Sequence, residues 1–203
     1  MTMNSNIKTK YSGIILAGGK SSRMGDNKAL LKWNGVSFLR HAVFKIKQLG
    51  IKEIIVSGKA DEECGVHCVR DVYHDRGPLG GLHACLGKIK TPYALVMPVD
   101  APNIPLFVFE ELIDYHQKLL AEDKLHNPVV LWEHGNRIEP LIGIYPAEMA
   151  DQIGKLISDR PAPVFRMLDR WENVCYRIEI RDDMIVNINT RDNYRELKAM
   201  ENE

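Results

Sequence analysis

Residues 13 to 31, GIILAGGKSSRMGDNKALL, constrain this chain more than any other stretch. An apolar strand runs directly into the pair Gly18-Gly19 and then into a polar loop carrying Lys20, Arg23 and Lys28. Gly18 and Gly19 have no Cβ, so the backbone can take positive φ and bring its N–H groups close to phosphate oxygens. Ser21 and Ser22 add hydroxyl donors, and the three basic side chains offset phosphate charge. Such a loop suits a nucleoside triphosphate; an ordinary strand-to-helix turn would need only the glycine pair. The two commonest phosphate loops are excluded. The pattern G-x-x-x-x-G-K-S/T ending at Gly19-Lys20-Ser21 requires glycine at position 14, which is Ile14, and G-x-G-x-x-G does not occur.

Strand-like and helical runs alternate after this opening. Strands are expected at Ser12–Leu16, Glu53–Ser57, His67–Arg70 and Tyr93–Val99, then at Pro128–Trp132, Leu141–Tyr145, Val174–Ile180 and Ile185–Ile188. The spacing of Phe38, Ala42, Ile46 and Leu49 predicts a helix over residues 36–49, stopped by Gly50. Further helices are expected at Gly80–Ile89, Leu106–Glu122 with Pro105 in its first turn, Glu148–Ser158 and Val164–Arg170, with a charged helix closing the chain. Trp132-Glu133-His134 followed by Gly135-Asn136 reads as a hairpin. Alternation of this kind predicts an α/β fold: a three-layer α/β/α sandwich around a mostly parallel sheet. No linker or repeat divides residues 1–203, so one domain is expected. Its N-terminal half would bind nucleotide, and its more polar second half, with shorter strands, would form a lobe for a second substrate.

Ligands of open α/β sheets lie beyond the carboxyl ends of the strands. Gly18 and Gly19 follow the first expected strand, Ser57-Gly58 ends the second, and Asp71 and Asp100 follow the third and fourth. An Asp after a strand is commonly a cap or turn former. In Met97-Pro-Val-Asp-Ala-Pro102, however, two prolines fix the backbone around Asp100, which suits a metal-binding carboxylate.

The 27 basic and 27 acidic residues balance, and with no basic tract a nucleic-acid partner is not expected. No apolar run approaches the ~18 residues of a membrane span. Residues 1–10 read as a polar lead-in, and the expected location is the cytoplasm. Cys64, Cys68, Cys85 and Cys175 form no disulfide framework, and Cys64-x3-Cys68 lacks a second ligand pair for zinc. His41, His74 and His83 have no metal-ligand spacing and read as surface or packed imidazoles.

Together LAGGKSSRMGDNKALL (16–31), Asp71 with GPLGGL (77–82), PVDAPNIP (98–105), EPLIGIYP (139–146) and NINTRDN (187–193) resemble the molybdenum cofactor guanylyltransferase family, in family order over nearly the whole chain. The opening loop marks only the nucleotidyltransferase superfamily; GPLGG, PVDAPNIP and NINT are more specific. The resemblance implies a Rossmann-like nucleotidyltransferase fold and Mg²⁺-dependent transfer of GMP from GTP to molybdopterin, bare or carrying molybdenum. It also implies possible contact with other proteins of molybdenum cofactor assembly. By position, Leu16, Ala17, Gly18 and Gly19 would contact GTP, Lys28 its phosphates, and Ser57 and Asp71 the nucleoside. Asp100 would bind both nucleotide and Mg²⁺, and Asn187 and Asn189 would face the pterin. Arg23, Lys28 and Asp100 form the expected catalytic set.

Two departures stand out. Asn27-Lys28 replaces the family's usual Asp-Lys, and the strand ending in Ser57 usually ends in Asn. Serine offers one hydroxyl where an amide offers both donor and acceptor, which bears on guanine specificity more than on nucleotide transfer. A cytidylyltransferase acting on the same pterin or another phosphorylated metabolite is the nearest alternative. A non-catalytic nucleotide-binding adaptor is the alternative of another class, opposed by the intact Arg23, Lys28 and Asp100. A GTPase switch lacks its P-loop.

Overall fold

The computed structural model describes residues 9–18, 28–58, 65–181, 188 and 190–200. At the centre is β1 (Tyr11–Leu16), whose six residues are all buried. Its side chains leave alternately on two faces, Tyr11 and Ile15 into one core, Ile14 and Leu16 into the other. A strand covered on both faces can be almost continuously apolar, which is why GIIL shows no alternation. Short β2 (Lys32–Trp33) and β3 (Val36–Ser37) form a separate antiparallel ribbon. β1 pairs in parallel with β4 (Ile54–Ser57), and β4 with the edge strand β5 (His67–Val69). On its other side β1 pairs in parallel with β6 (Tyr93–Pro98).

Beyond β6 lie the hairpin strands β7 (Val129–His134) and β8 (Arg137–Pro146), then β9 (Asn173–Arg177). The sheet order is β5-β4-β1-β6-β8-β7-β9. Only β8 runs against its neighbours, so the sheet is mostly parallel, as expected. Helices α1 (Phe38–Gln48), α3 (Leu106–Glu122) and α6 (Arg191–Ala199) cover one face. Helices α2 (Pro78–Leu86), α4 (Met149–Ile157) and α5 (Val164–Leu168) cover the other.

Local chemistry accounts for several boundaries. Ser37 Oγ accepts from the Arg40 N–H at 3.3 Å and opens α1. At the other end Gly50, at φ 81°, lets Ile51 N–H reach Ile46 O at 3.3 Å and Gly50 N–H reach Lys47 O at 3.0 Å, the expected glycine stop. α1 lies close on β1 because Gly13 has no side chain: a Cβ there would sit 2.6 Å from Ile46 Cγ2.

The structure departs from expectation at several boundaries: the helix expected from residue 36 starts at Phe38, because Val36 and Ser37 pair in β3, and β9 ends at Arg177 rather than Ile180. α2 begins at Pro78, two residues before the expected Gly80, because proline suits a first helical turn and its missing N–H costs nothing there. Pro105 is the N-cap of α3 rather than part of its first turn. β8 spans ten residues, not the expected Leu141–Tyr145. Its polar first half, Arg137–Glu139, is carried into the strand by ladder pairing with β7 across the Gly135-Asn136 turn, where Gly135 has φ 56°. The second half therefore extends the same sheet with its longest strand instead of forming a lobe of short ones. Cys68 is exposed on the edge strand β5. Of the expected strand Ile185–Ile188, only Ile188 is among the described residues. No described helix is long and apolar enough to cross a membrane.

Candidate active site

A cleft of about 590 Å³ opens at the carboxyl ends of β1, β4 and β5. Leu16 and Gly18 line it from the first strand, Ser57 and Gly58 from the second, and Arg70 and Asp71 from the third. Gly77, Pro78 and Gly81 of α2 close the opposite wall. The strand ends are stitched together by backbone bonds. Val99 N–H donates to Leu16 O at 3.1 Å, joining the ends of β6 and β1. Gly58 N–H donates to Val69 O at 2.8 Å, joining β4 to β5. Gly58 itself, at φ 92°, passes so near Gly18 that a Cβ would stand 3.2 Å from the Gly18 Cα.

Ser57 is 1% exposed, at the floor of this cleft. Its Oγ accepts from Ala17 N–H at 3.2 Å and from Gly18 N–H at 3.3 Å. The Gly18 amide, expected at phosphate, donates to Ser57 Oγ in this structure, because the two strand ends lie side by side. Ser57 thus fixes the opening loop and keeps one hydroxyl hydrogen to donate. A Cβ on Gly18 would lie 3.6 Å from Ser57 Oγ, an ordinary van der Waals contact.

Asp71 stands next to Ser57 and packs against the two glycines of α2. A Cβ on Gly80 would come 3.1 Å from Asp71 Oδ2, and one on Gly81 3.6 Å from Oδ1 and 2.9 Å from Ser57 Oγ. Glycines at both positions let the helix approach. Asp71 Oδ1 is buried and has no hydrogen-bond partner among the described residues. Burial raises the carboxyl above its ordinary range, and the nearby His74 and His83 partly oppose that rise. His83, one turn further along α2, is itself lowered by burial against the pull of Asp151 and Asp71.

Lys28 and Asp100 meet at the neighbouring strand end. Lys28 Nζ lies 2.8 Å from Asp100 Oδ2, with the side chains 19% and 24% exposed. Asp100 O accepts from Ile188 N–H at 2.9 Å, which ties the NINT segment to this end of β6. Glu139 of β8 lies near enough to feel the charge of Asp100. Glu139 is half-buried; burial raises its carboxyl, the Asp100 charge adds to that rise, and Arg137 and His134 oppose it.

Of the residues singled out by sequence, Leu16, Ala17, Gly18, Ser57 and Asp71 gather around the cleft, and Lys28 and Asp100 pair beside it. Gly19, Arg23, Asn187 and Asn189 lie outside the described residues. His74, Arg70 and Arg76 of the wall went unrecognised in the sequence, although the first two flank Asp71 closely enough to have been considered with it. Arg76 is already engaged: Nε donates to Ile157 O at 2.6 Å, and Nη2 to Ser158 O and Asp159 O at 3.1 and 3.2 Å. It satisfies the carbonyls at the end of α4.

Residues 13–174 match the family model described as a MobA-like NTP transferase domain. The chain belongs to this family. A relative from Bacillus anthracis, named "Probable molybdenum cofactor guanylyltransferase", is 29% identical over 198 residues, covering 92% of this chain and 94% of its own. Among solved structures, molybdopterin-guanine dinucleotide biosynthesis protein A of Archaeoglobus fulgidus shares the fold at TM-score 0.71 and 19% identity, over 93% of this chain and 97% of that one. A CMP:2-keto-3-deoxy-manno-octonic acid synthetase complexed with CTP does so at TM-score 0.70 and 13% identity, over 95% and 98%. The MobA-like chain is accordingly a nucleotidyltransferase with a Rossmann-like fold. Fold does not choose its base; the side chains of the cleft must do so.

Proposed function

We propose that this MobA-like transferase moves GMP from GTP to the phosphate of molybdopterin, bare or molybdenum-loaded, giving molybdopterin guanine dinucleotide and pyrophosphate. The observation that carries this reading is the Asp71 carboxylate on the cleft wall beside Ser57, whose Oδ1 has no hydrogen-bond partner among the described residues. A carboxylate only accepts, and the N1–H and N2–H₂ edge of guanine supplies two adjacent donors where cytosine has no such pair. The name of the Bacillus anthracis relative supports the same donor and acceptor.

The reaction joins an acceptor phosphate oxygen to the α-phosphorus of GTP and breaks the bond to pyrophosphate. A phosphate monoester is already anionic near neutral pH, so the site needs no strong general base. It needs alignment and compensation of charge. Lys28 supplies a cation at the strand end, and Arg23, on sequence grounds, adds a second for the α-phosphate and the leaving group. Leu16, Ala17, Gly18 and Gly19 border the nucleotide, and Ser57 holds the first of these loops in place. On sequence grounds Asn187 and Asn189 would serve the pterin, a role supported by the bond between their neighbour Ile188 and Asp100. Mg²⁺ binds hard oxygen donors through one or two carboxylates while keeping several waters. Asp100 fits that chemistry and would hold the ion; when bound, the ion would neutralise phosphate oxygens.

Pyrophosphate release, measured with each of the four NTPs in the presence and absence of molybdopterin, tests the reading. Release is expected with GTP only, and only with molybdopterin present. Faster release from CTP would install the cytidylyltransferase reading, and GTP binding without turnover would install the adaptor.

A further inference from the structure

Asp100 sits at the start of the segment that leads from β6 to α3. The stretch from Val99 to Pro105 links β6 to α3 and contains Pro102 and Pro105, neither of which has an N–H. Val99 N–H and the Asp100 carbonyl are anchored by Leu16 and Ile188 respectively. Beyond them the carbonyl of Pro102 is gripped from below by Lys45, whose Nζ donates to it. Lys45 rises from α1 into a small pocket walled by Ala42, Met97, Ile104 and Phe109. Burial in these surroundings pushes its ammonium down to about 8. An ammonium placed among apolar side chains costs free energy unless a specific bond compensates. A methionine would fill the same space without that cost, so packing alone does not account for a lysine here.

We propose that Lys45 is a positioning residue that, by holding the Pro102 carbonyl, keeps the Asp100 loop where the carboxylate meets Lys28 and the reacting phosphates. The proposal rests on the reading above that Asp100 acts in nucleotidyl transfer. Lys45 touches neither nucleotide nor acceptor; it works through the loop. Its loss should therefore lower turnover and leave the affinity of the cleft for GTP, set by Ser57 and Asp71, nearly unchanged.

The test is steady-state kinetics and thermal unfolding of the full chain with Lys45→Met, Lys45→Arg and, as control, Asp100→Ala. Lys45→Met is expected to lower kcat by roughly 10- to 100-fold, the scale of a small misplacement of a reacting group. KM for GTP should stay within about twofold and Tm within about 3 °C, because removing a buried charge and orphaning one carbonyl act in opposite directions. Lys45→Arg, which keeps a charged donor, should recover much of kcat. Unchanged kcat in Lys45→Met overturns the proposal. So do kcat, KM and Tm falling together without rescue by arginine, which is the pattern of a merely structural role. If Lys45→Met does not fold, Lys45→Leu, which likewise removes the donor, is read in its place, and an unchanged kcat is equally fatal. Asp100→Ala with full turnover removes the underlying reading itself; an inactive Asp100→Ala beside a fully active Lys45→Met removes only the role of Lys45.

Discussion

The two carboxylates at this site have different neighbours. Asp100 leans on Lys28 at 2.8 Å, whereas Asp71 is raised by burial and only partly relieved by His74 and His83. Asp71 must be ionised to accept from a base. Because its pKa in the folded chain lies above the ordinary carboxylate value, the proton returns as pH falls through that raised value, and GTP affinity is lost with it. Calorimetry of GTP binding from neutral pH downward should show this loss in the native chain and a flat profile in Asp71→Asn. That variant should also erode the preference for GTP over CTP more than it lowers the rate at saturating GTP, since its amide can donate as well as accept. Equal discrimination in the two proteins would withdraw Asp71 from base recognition.

At the scale of elements, α2 decides the shape of the cleft. Glycine in a helix costs about 1 kcal/mol relative to alanine, and α2 carries two in succession. They are tolerated because the helix must pass close to Ser57 and Asp71. Gly81→Ala would recover helix propensity but drive a methyl to 2.9 Å from Ser57 Oγ, an overpacking that costs about 1–3 kcal/mol. The expected result is net destabilisation in urea of about 1 kcal/mol, together with weakened GTP binding as Ser57 is pushed from the Ala17 and Gly18 amides. Gly87→Ala, where a Cβ would have 3.5 Å to the nearest atom, should show neither effect. A more stable Gly81→Ala with native GTP affinity would mean that the close approach has no consequence for the site.

Over the whole molecule, acid sensitivity should originate far from the chemistry. His116 on α3 is fully buried between Tyr11 and Tyr93, near the amino ends of β1 and β6, and shares a 2.8 Å hydrogen bond with the Tyr11 hydroxyl. Burial lowers it from 6.5 to about 4. Between those values the unfolded chain binds a proton that the folded chain refuses, so stability falls as pH drops from 6.5 toward 4. The loss amounts to at most about 3 kcal/mol. Urea denaturation at stepped pH should show that slope in the native chain and a shallower one in His116→Gln. An identical slope in the two would place the acid sensitivity elsewhere.

What was legible in the sequence was what short-range physics controls. The apolar run of β1, the glycine stop of α1, the bounds of α3 and the Gly135-Asn136 turn follow from periodicity and turn chemistry within a few residues. The gathering of Leu16, Gly18, Ser57 and Asp71 was legible too, because parallel strands present their carboxyl ends on one side. Tertiary packing alone decided the rest. Gly80 and Gly81 are weak helix formers that become necessary only where α2 meets Ser57. The polar start of β8 becomes strand because β7 pairs with it. The His74 and His83 environment of Asp71, the ion pair of Lys28 with Asp100, and the grip of Lys45 on Pro102 join residues distant in sequence. Burial and electrostatic coupling depend on which side chains share a volume, and that is settled only when the sheet and its helices close together.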